Sequence, residues 1–173
     1  MKAEELAREV KLVVLDCDGV LTDGGLYYDH DGNVTKRFNV LDGLGIKAAQ
    51  ACGIVIAVIT GLDAKSVSSR MNDLGIVDYY AGHLKKTVCI TEIKDKYELD
   101  WNQIAYVGDD WIDLPPMRKV GLPIAVANAM PEVKELAVLE TECEGGQGAV
   151  REALNFILHA QGKLDEIAQS IGG

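Results

Sequence analysis

Apolar residues along this chain fall into continuous runs separated by stretches of helical periodicity. Leu12 to Leu15, Ile54 to Ile59, Ile104 to Val107 and Leu122 to Val126 are such runs. Runs this short, rich in Val and Ile, predict strands covered on both faces. Between them the pattern predicts helices from Asp42 to about Cys52, from Asp63 through Val67 and Met71 to Leu74, and from about Lys86 to Tyr97. Asp42 and Asp63 are the expected N-caps of the first two. A short strand is expected around Tyr79 to Ala81, and a helix whose start contains Pro115 and Pro116 leads into the run at Leu122. Val150, Leu154, Ile157 and Leu158 mark a last amphipathic helix after the loop Gly145-Gly146-Gln147-Gly148. Alternating strands and helices imply an α/β, doubly wound, mainly parallel sheet of Rossmann-like type, with helices on both faces.

One segment breaks the alternation. Leu26 to Tyr28 and Val34 to Phe38 read as paired strands around the turn signal Asp31-Gly32, a hairpin insertion over about residues 25–40. The stretch Met1 to Val10 is charged and helical in composition, unlike a signal peptide. With 173 residues the chain fits a single domain.

Charge and cysteine usage narrow the function classes. A formal charge of −10 disfavours nucleic acid and anionic membranes as partners. Cys17, Cys52, Cys89 and Cys143 form no Cys-x-x-Cys pair, and three lie in apolar surroundings. Buried free thiols in a reducing compartment follow, with a cytoplasmic location expected.

The chemistry collects at strand ends. Asp16 and Asp18 follow the first apolar run, where open α/β sheets place their ligand crevices, and Gly19 permits a sharp turn. Two carboxylates this close repel unless a cation or shared proton intervenes. A divalent metal is therefore expected, and Mg²⁺ suits hard oxygen ligands beside a phosphate. Thr60-Gly61 ends the second run and Gly108-Asp109-Asp110 the third. Asp16 is the candidate nucleophile and Asp18 the candidate general acid, then base. Asp109 completes the metal site, with Asp110 and Asp113 as neighbours that support it. Thr60, Gly61 and Lys86 are candidates for holding phosphate oxygens, Lys86 in preference to Lys85.

The string Asp16-Cys17-Asp18-Gly19-Val20-Leu21-Thr22-Asp23-Gly24 resembles the first motif of the haloacid dehalogenase superfamily of phosphatases. Thr60, Lys86 and Asp109 match its later motifs. The resemblance implies that fold, an aspartyl-phosphate intermediate, Mg²⁺, and metal ligation by Asp16, Asp109 and the Asp18 backbone carbonyl.

A narrower resemblance, to 3-deoxy-D-manno-octulosonate 8-phosphate phosphatases, covers most of the chain. It rests on Thr22-Asp23-Gly24, Phe38-x-x-x-Asp42-Gly43, Gly45-Ile46, Gly108-Asp109-Asp110-x-x-Asp113, Gly145-Gly146-x-Gly148-Ala149-Val150-Arg151-Glu152 and Ala160-Gln161-Gly162-Lys163. It implies a phosphorylated sugar acid as substrate and a homotetramer built through the hairpins. Only about forty residues separate Asp18 from Thr60 and about twenty-five Thr60 from Lys86, which leaves no room for a cap domain. The tail, about residues 162–173 and including Lys163, is then expected to close a neighbouring subunit's site. Leu62 stands where this family often carries Arg, a residue suited to the sugar-acid carboxylate; Arg70 is the candidate to contribute instead. A nonulosonate 9-phosphate phosphatase is the alternative within the class. A phospho-receiver-like or catalytically silent regulatory module is the alternative outside it.

Overall fold

The computed structural model describes residues 2–170. In chain order its elements are α1 (Lys2–Glu9), β1 (Leu12–Leu15), β2 (Tyr27–Tyr28), β3 (Val34–Thr35), α2 (Val40–Ala51), β4 (Val55–Thr60), α3 (Lys65–Leu74), β5 (Asp78–Ala81) and α4 (Lys86–Lys96). There follow β6 (Ile104–Gly108), α5 (Leu114–Met117), β7 (Leu122–Ala125), α6 (Pro131–Leu136), β8 (Leu139–Glu140), α7 (Ala149–Ala160) and α8 (Leu164–Ser170). Short 3₁₀ turns at Trp101–Gln103 and Trp111–Asp113 precede β6 and α5.

All four residues of β1 are buried, as a strand without a polar face requires. It lies centrally in a six-stranded sheet of order β5-β4-β1-β6-β7-β8, every pairing parallel. Leu15 is in register with Val58 on one side and Val107 on the other. From β1 the chain crosses to β4 and on to β5, then returns past β1 to β6 on its other side. A crevice therefore opens at the C-terminal end of β1, between the ends of its two neighbours. Helices α1, α2 and α7 pack together, with α3 and α8 against α2; α4, α5 and α6 form a second group.

Some boundaries depart from the sequence expectation. Asn39 caps α2, its side chain accepting from Leu41 N–H at 2.9 Å. Asp42 lies buried in the first turn and caps a different helix. Its carboxylate accepts from the Arg151 N–H at 2.8 Å, and the nearby backbone N–H groups of Gly148 and Val150 favour its charged form. Gly148 precedes α7 with no side chain to cap it, and Asp42 accepts the Arg151 N–H of its first turn from across the helix interface. Nor does Asp63 cap α3, whose N-cap is Ala64 without a side-chain bond. The hairpin is shorter than expected, pairing only Tyr27 with Thr35 and Tyr28 with Val34. It rests on α3, where Ser66 Oγ donates to the Val34 carbonyl, and Arg37 ties it to the Gly146 carbonyl at 3.0 Å. The short elements α6, β8 and α8 carried no sequence expectation. All four cysteines are free, Cys17 and Cys89 buried and the other two half-buried.

Candidate active site

The loop after β1 is built around one carbonyl. Cys17 C=O accepts from the N–H groups of Leu21 and Thr22, each at 3.0 Å, so the chain curls back at once. Gly19 holds φ +83°, and a Cβ there would stand 2.0 Å from Asp109 Oδ2. Only glycine lets Asp109 approach so closely. The glycine-rich loop before α7 supports the turn from outside. Asn128 donates to Gly19 C=O at 3.0 Å and accepts from Gly145 N–H at 2.6 Å. A side chain at Gly145 would collide with the Gly19 carbonyl at 1.8 Å.

Asp16, Asp109 and Asp113 converge at this point, one oxygen from each lying within 4.8 Å of the others. Lys86, at the start of α4, has its ammonium 2.6 Å from Asp16 Oδ1 and 2.7 Å from Asp113 Oδ1. Its side chain is wholly enclosed. Burial alone would lower its pKa, but Asp16 and Asp113 outweigh that and raise it. Asp113 was expected only as a neighbour of the metal site, yet it fixes much of the floor. It accepts from Lys86, from the Tyr106 hydroxyl at 2.6 Å, and from the backbone N–H groups of Asp109 and Asp110 at 3.0 and 3.3 Å.

The acids are under electrostatic stress. Burial first, then Asp113, pushes the Asp16 carboxyl up to about 7 despite Lys86. Burial and then Asp16, Asp113 and Asp110 push Asp109 up to about 8. Asp109 Oδ1 is buried without a hydrogen-bond partner. An orphaned carboxylate oxygen among three acids is what a divalent cation would relieve, so the donor set fits Mg²⁺.

The Asp18 side chain is not one of the three whose oxygens converge; it lines the cleft beside them and pairs with Lys36 of the hairpin. If Asp18 serves the metal, its backbone carbonyl is the group left to do so. Asp110 is exposed and caps the 3₁₀ turn, accepting from Trp111 N–H at 2.7 Å. Asp16, Asp18, Gly19, Gly24, Asp109, Asp110 and Ile112 line a cleft of about 230 Å³. Thr60 is buried at the end of β4, where its hydroxyl accepts from the Leu62 N–H at 3.3 Å. Gly61 follows it, and Leu62 is exposed. Arg70 is not among the cleft residues; its guanidinium lies against Gly43 and donates to the Asn39 carbonyl at 3.4 Å, joining α3 to the start of α2.

Sequence reasoning missed Lys36, Tyr106 and Asn128. Lys36 falls inside the hairpin run Val34 to Phe38 and Tyr106 inside the apolar run Ile104 to Val107, where nothing local marks either. Asn128 lies in a turn that carries no motif of its own.

Comparison with known proteins agrees with this geometry. Residues 55–154 match the haloacid dehalogenase-like hydrolase family. The chain is 46% identical over 160 residues to the 3-deoxy-D-manno-octulosonate 8-phosphate phosphatase KdsC of Escherichia coli K12, covering 92% of this chain and 85% of that one. Its fold superposes on the crystal structure of the phosphatase of that name from Yersinia pestis with a TM-score of 0.93 at 41% identity, covering 95% and 89% of the two chains. The corresponding enzyme from Moraxella catarrhalis, in complex with magnesium ion, phosphate ion and KDO, gives 0.95 at 35% identity, covering 98% and 97%. The chain belongs to the haloacid dehalogenase-like hydrolases, and within them to the family of the 3-deoxy-D-manno-octulosonate 8-phosphate phosphatases.

Proposed function

We propose that the protein is a Mg²⁺-dependent phosphomonoesterase that cleaves 3-deoxy-D-manno-octulosonate 8-phosphate to the free sugar acid and phosphate. The observation that carries this is the convergence of Asp16, Asp109 and Asp113 on one point beside the enclosed Lys86 ammonium. The substrate rests on the activity named for relatives as similar as 46% identical over 92% of the chain.

In this reading an Asp16 oxygen attacks phosphorus as the bond to the sugar oxygen breaks, leaving an aspartyl-phosphate. Asp18 gives its proton to the departing alkoxide and later takes one from the attacking water. Lys86 and the hydroxyl of Thr60, with the backbone at Gly61, hold phosphoryl oxygens. Asp16, Asp109 and the Asp18 carbonyl would hold Mg²⁺, which supplies positive charge against the phosphate oxygens. Asp113 keeps Lys86 and the Asp109 backbone in place. Leu62 offers no charge to the sugar-acid carboxylate, and the Arg70 guanidinium is engaged with the Asn39 carbonyl.

We further propose a cytoplasmic homotetramer. No described helix is long and apolar enough to cross a membrane. Leu26, Tyr27 and Tyr28 are exposed on the hairpin, an apolar surface of the kind that subunits cover.

The test is a screen of phosphorylated sugar acids with Mg²⁺, run beside Asp16→Asn and Asp18→Asn. Asp16→Asn should lose more than about a hundredfold in kcat. Asp18→Asn should still release the leaving group of an activated aryl phosphate. Absence of phosphate release from every sugar-acid phosphate would overturn the assignment, and preference for a nine-carbon 9-phosphate would redirect it.

A further inference from the structure

The two carboxylates of the first motif each have their own enclosed ammonium. Lys86 serves Asp16, and Lys36 serves Asp18. The second pairing is the unexpected one, because Lys36 comes from the hairpin, whose Tyr27, Tyr28, Thr35 and Arg37 are exposed. The Lys36 side chain is nevertheless 0% exposed, while the Asp18 side chain it meets is 34% exposed. Among the described residues Lys36 is the one cation within salt-bridge distance of Asp18. Its position is braced: Thr22 and Phe38 form an antiparallel bridge that returns the hairpin to the first-motif loop, and Arg37 anchors the same strand to Gly146.

Fixing a lysine in one rotamer forfeits side-chain entropy, and enclosing its charge adds to that cost. An ordinary surface pair does not recover such a cost. The pairing instead fixes the direction of the Asp18 carboxylate, which lies against the Lys36 ammonium while remaining part of the cleft lining.

We propose that Lys36 is a positioning residue for the second half of the reaction, holding the Asp18 carboxylate where it meets the attacking water. The inference rests on the phosphatase reading above. In that step the water oxygen bonds to phosphorus and the bond between phosphorus and Asp16 breaks. Its electron pair returns to the Asp16 carboxylate, and the water proton passes to Asp18. Lys36 keeps its own protons throughout.

The experiment is rapid-quench kinetics of the full chain with Mg²⁺ and an activated aryl phosphate, following phosphoenzyme formation and breakdown separately. In Lys36→Met, formation should stay within about threefold of wild type, because a good leaving group needs no proton. Breakdown should slow by about 30- to 100-fold, so the acid-quenched protein carries a phosphoryl group. Lys36→Arg retains the charge and should recover most of the breakdown rate. An equal fall in both steps for Lys36→Met, not relieved by Lys36→Arg, would mean that Lys36 only supports the fold. A raised KM with both rate constants kept would make it a substrate-binding group, and either result overturns the proposal. If wild type and Asp18→Asn both form no phosphoenzyme, the phosphatase mechanism itself fails and this inference with it.

Discussion

The Tyr106 hydroxyl donates to Asp113 Oδ1 across 2.6 Å, beneath the acids that face the cleft. Tyr106 is a fully buried strand residue, and burial followed by the Asp113 charge drives its pKa well above the ordinary 10.0. It therefore stays a donor and never competes for protons. Tyr106→Phe removes one charge-assisted bond, while Asp113 keeps Lys86 and two backbone N–H groups. The expected cost is about 1.5–3 kcal/mol of stability by denaturant unfolding, with kcat reduced less than about tenfold because no reacting group is displaced. Asp113→Asn should be far worse for kcat, since it loosens Lys86 as well. Equal effects from the two variants would contradict Asp113 as the hub.

Stability should depend on pH and on metal together. Asp16 and Asp109 ionise near 7 and 8 in the folded chain against an ordinary 3.8. A raised folded pKa means that the fold favours the protonated acids. Their contribution is full below about pH 4 and is lost as pH rises through 7 and 8. In chelator, Tm should thus fall from pH 5 to pH 8. Mg²⁺ binds the ionised acids, so its stabilisation should be larger at pH 8 than at pH 5. Thermal melts with and without Mg²⁺ check this, and a Mg²⁺ shift independent of pH would contradict the raised pKa values.

Asp16, Thr60 and Asp109 were legible as site candidates because each follows an apolar run, and a parallel sheet brings such ends together. Asp113 was legible as a neighbour of the metal site but not as its hub, since its partners Tyr106 and Lys86 come from separate elements. Lys36 was not legible as a partner of Asp18. Nothing local distinguishes it from Arg37, and only the bridge from Thr22 to Phe38 turns it inward. Asp42 shows the same limit. Its position before an amphipathic run fits an N-cap, but which helix it caps depends on how α2 meets α7.

That contact can be tested directly. Asp42→Ala leaves the Arg151 N–H in the first turn of α7 without its acceptor and should cost about 1–2 kcal/mol. Asp42 Oδ2 is buried without a partner, and burial raises the carboxyl's pKa. Asp42→Asn keeps an acceptor and removes that stranded charge, so it should cost less than Ala. Urea unfolding of both variants gives the order, and the reverse order would exclude capping as the main role. Activity per folded molecule should be unchanged in either.

The tail offers the last test. Its residues 171–173 lie outside those described, but Leu164–Ser170 forms α8, packed on α2 and α7 of its own chain. Lys163, expected to bring charge to the substrate, instead donates to the Cys52 carbonyl at 3.2 Å and to Gln161 at 2.9 Å. That places its charge at the C-terminal end of α2, where a cation is favoured. Closure of a neighbouring copy's site by this tail would require α8 to leave α2 and α7. Truncation after Gly162 should then lower kcat/KM for the sugar-acid phosphate several-fold more than for a small aryl phosphate, which needs little enclosure. It should also lower Tm by a few degrees, because α8 covers the end of α2. Lys163→Met should reproduce the loss of Tm without the change in substrate preference. If truncation moves both substrates alike, α8 is a structural cover and the cleft is closed by something else.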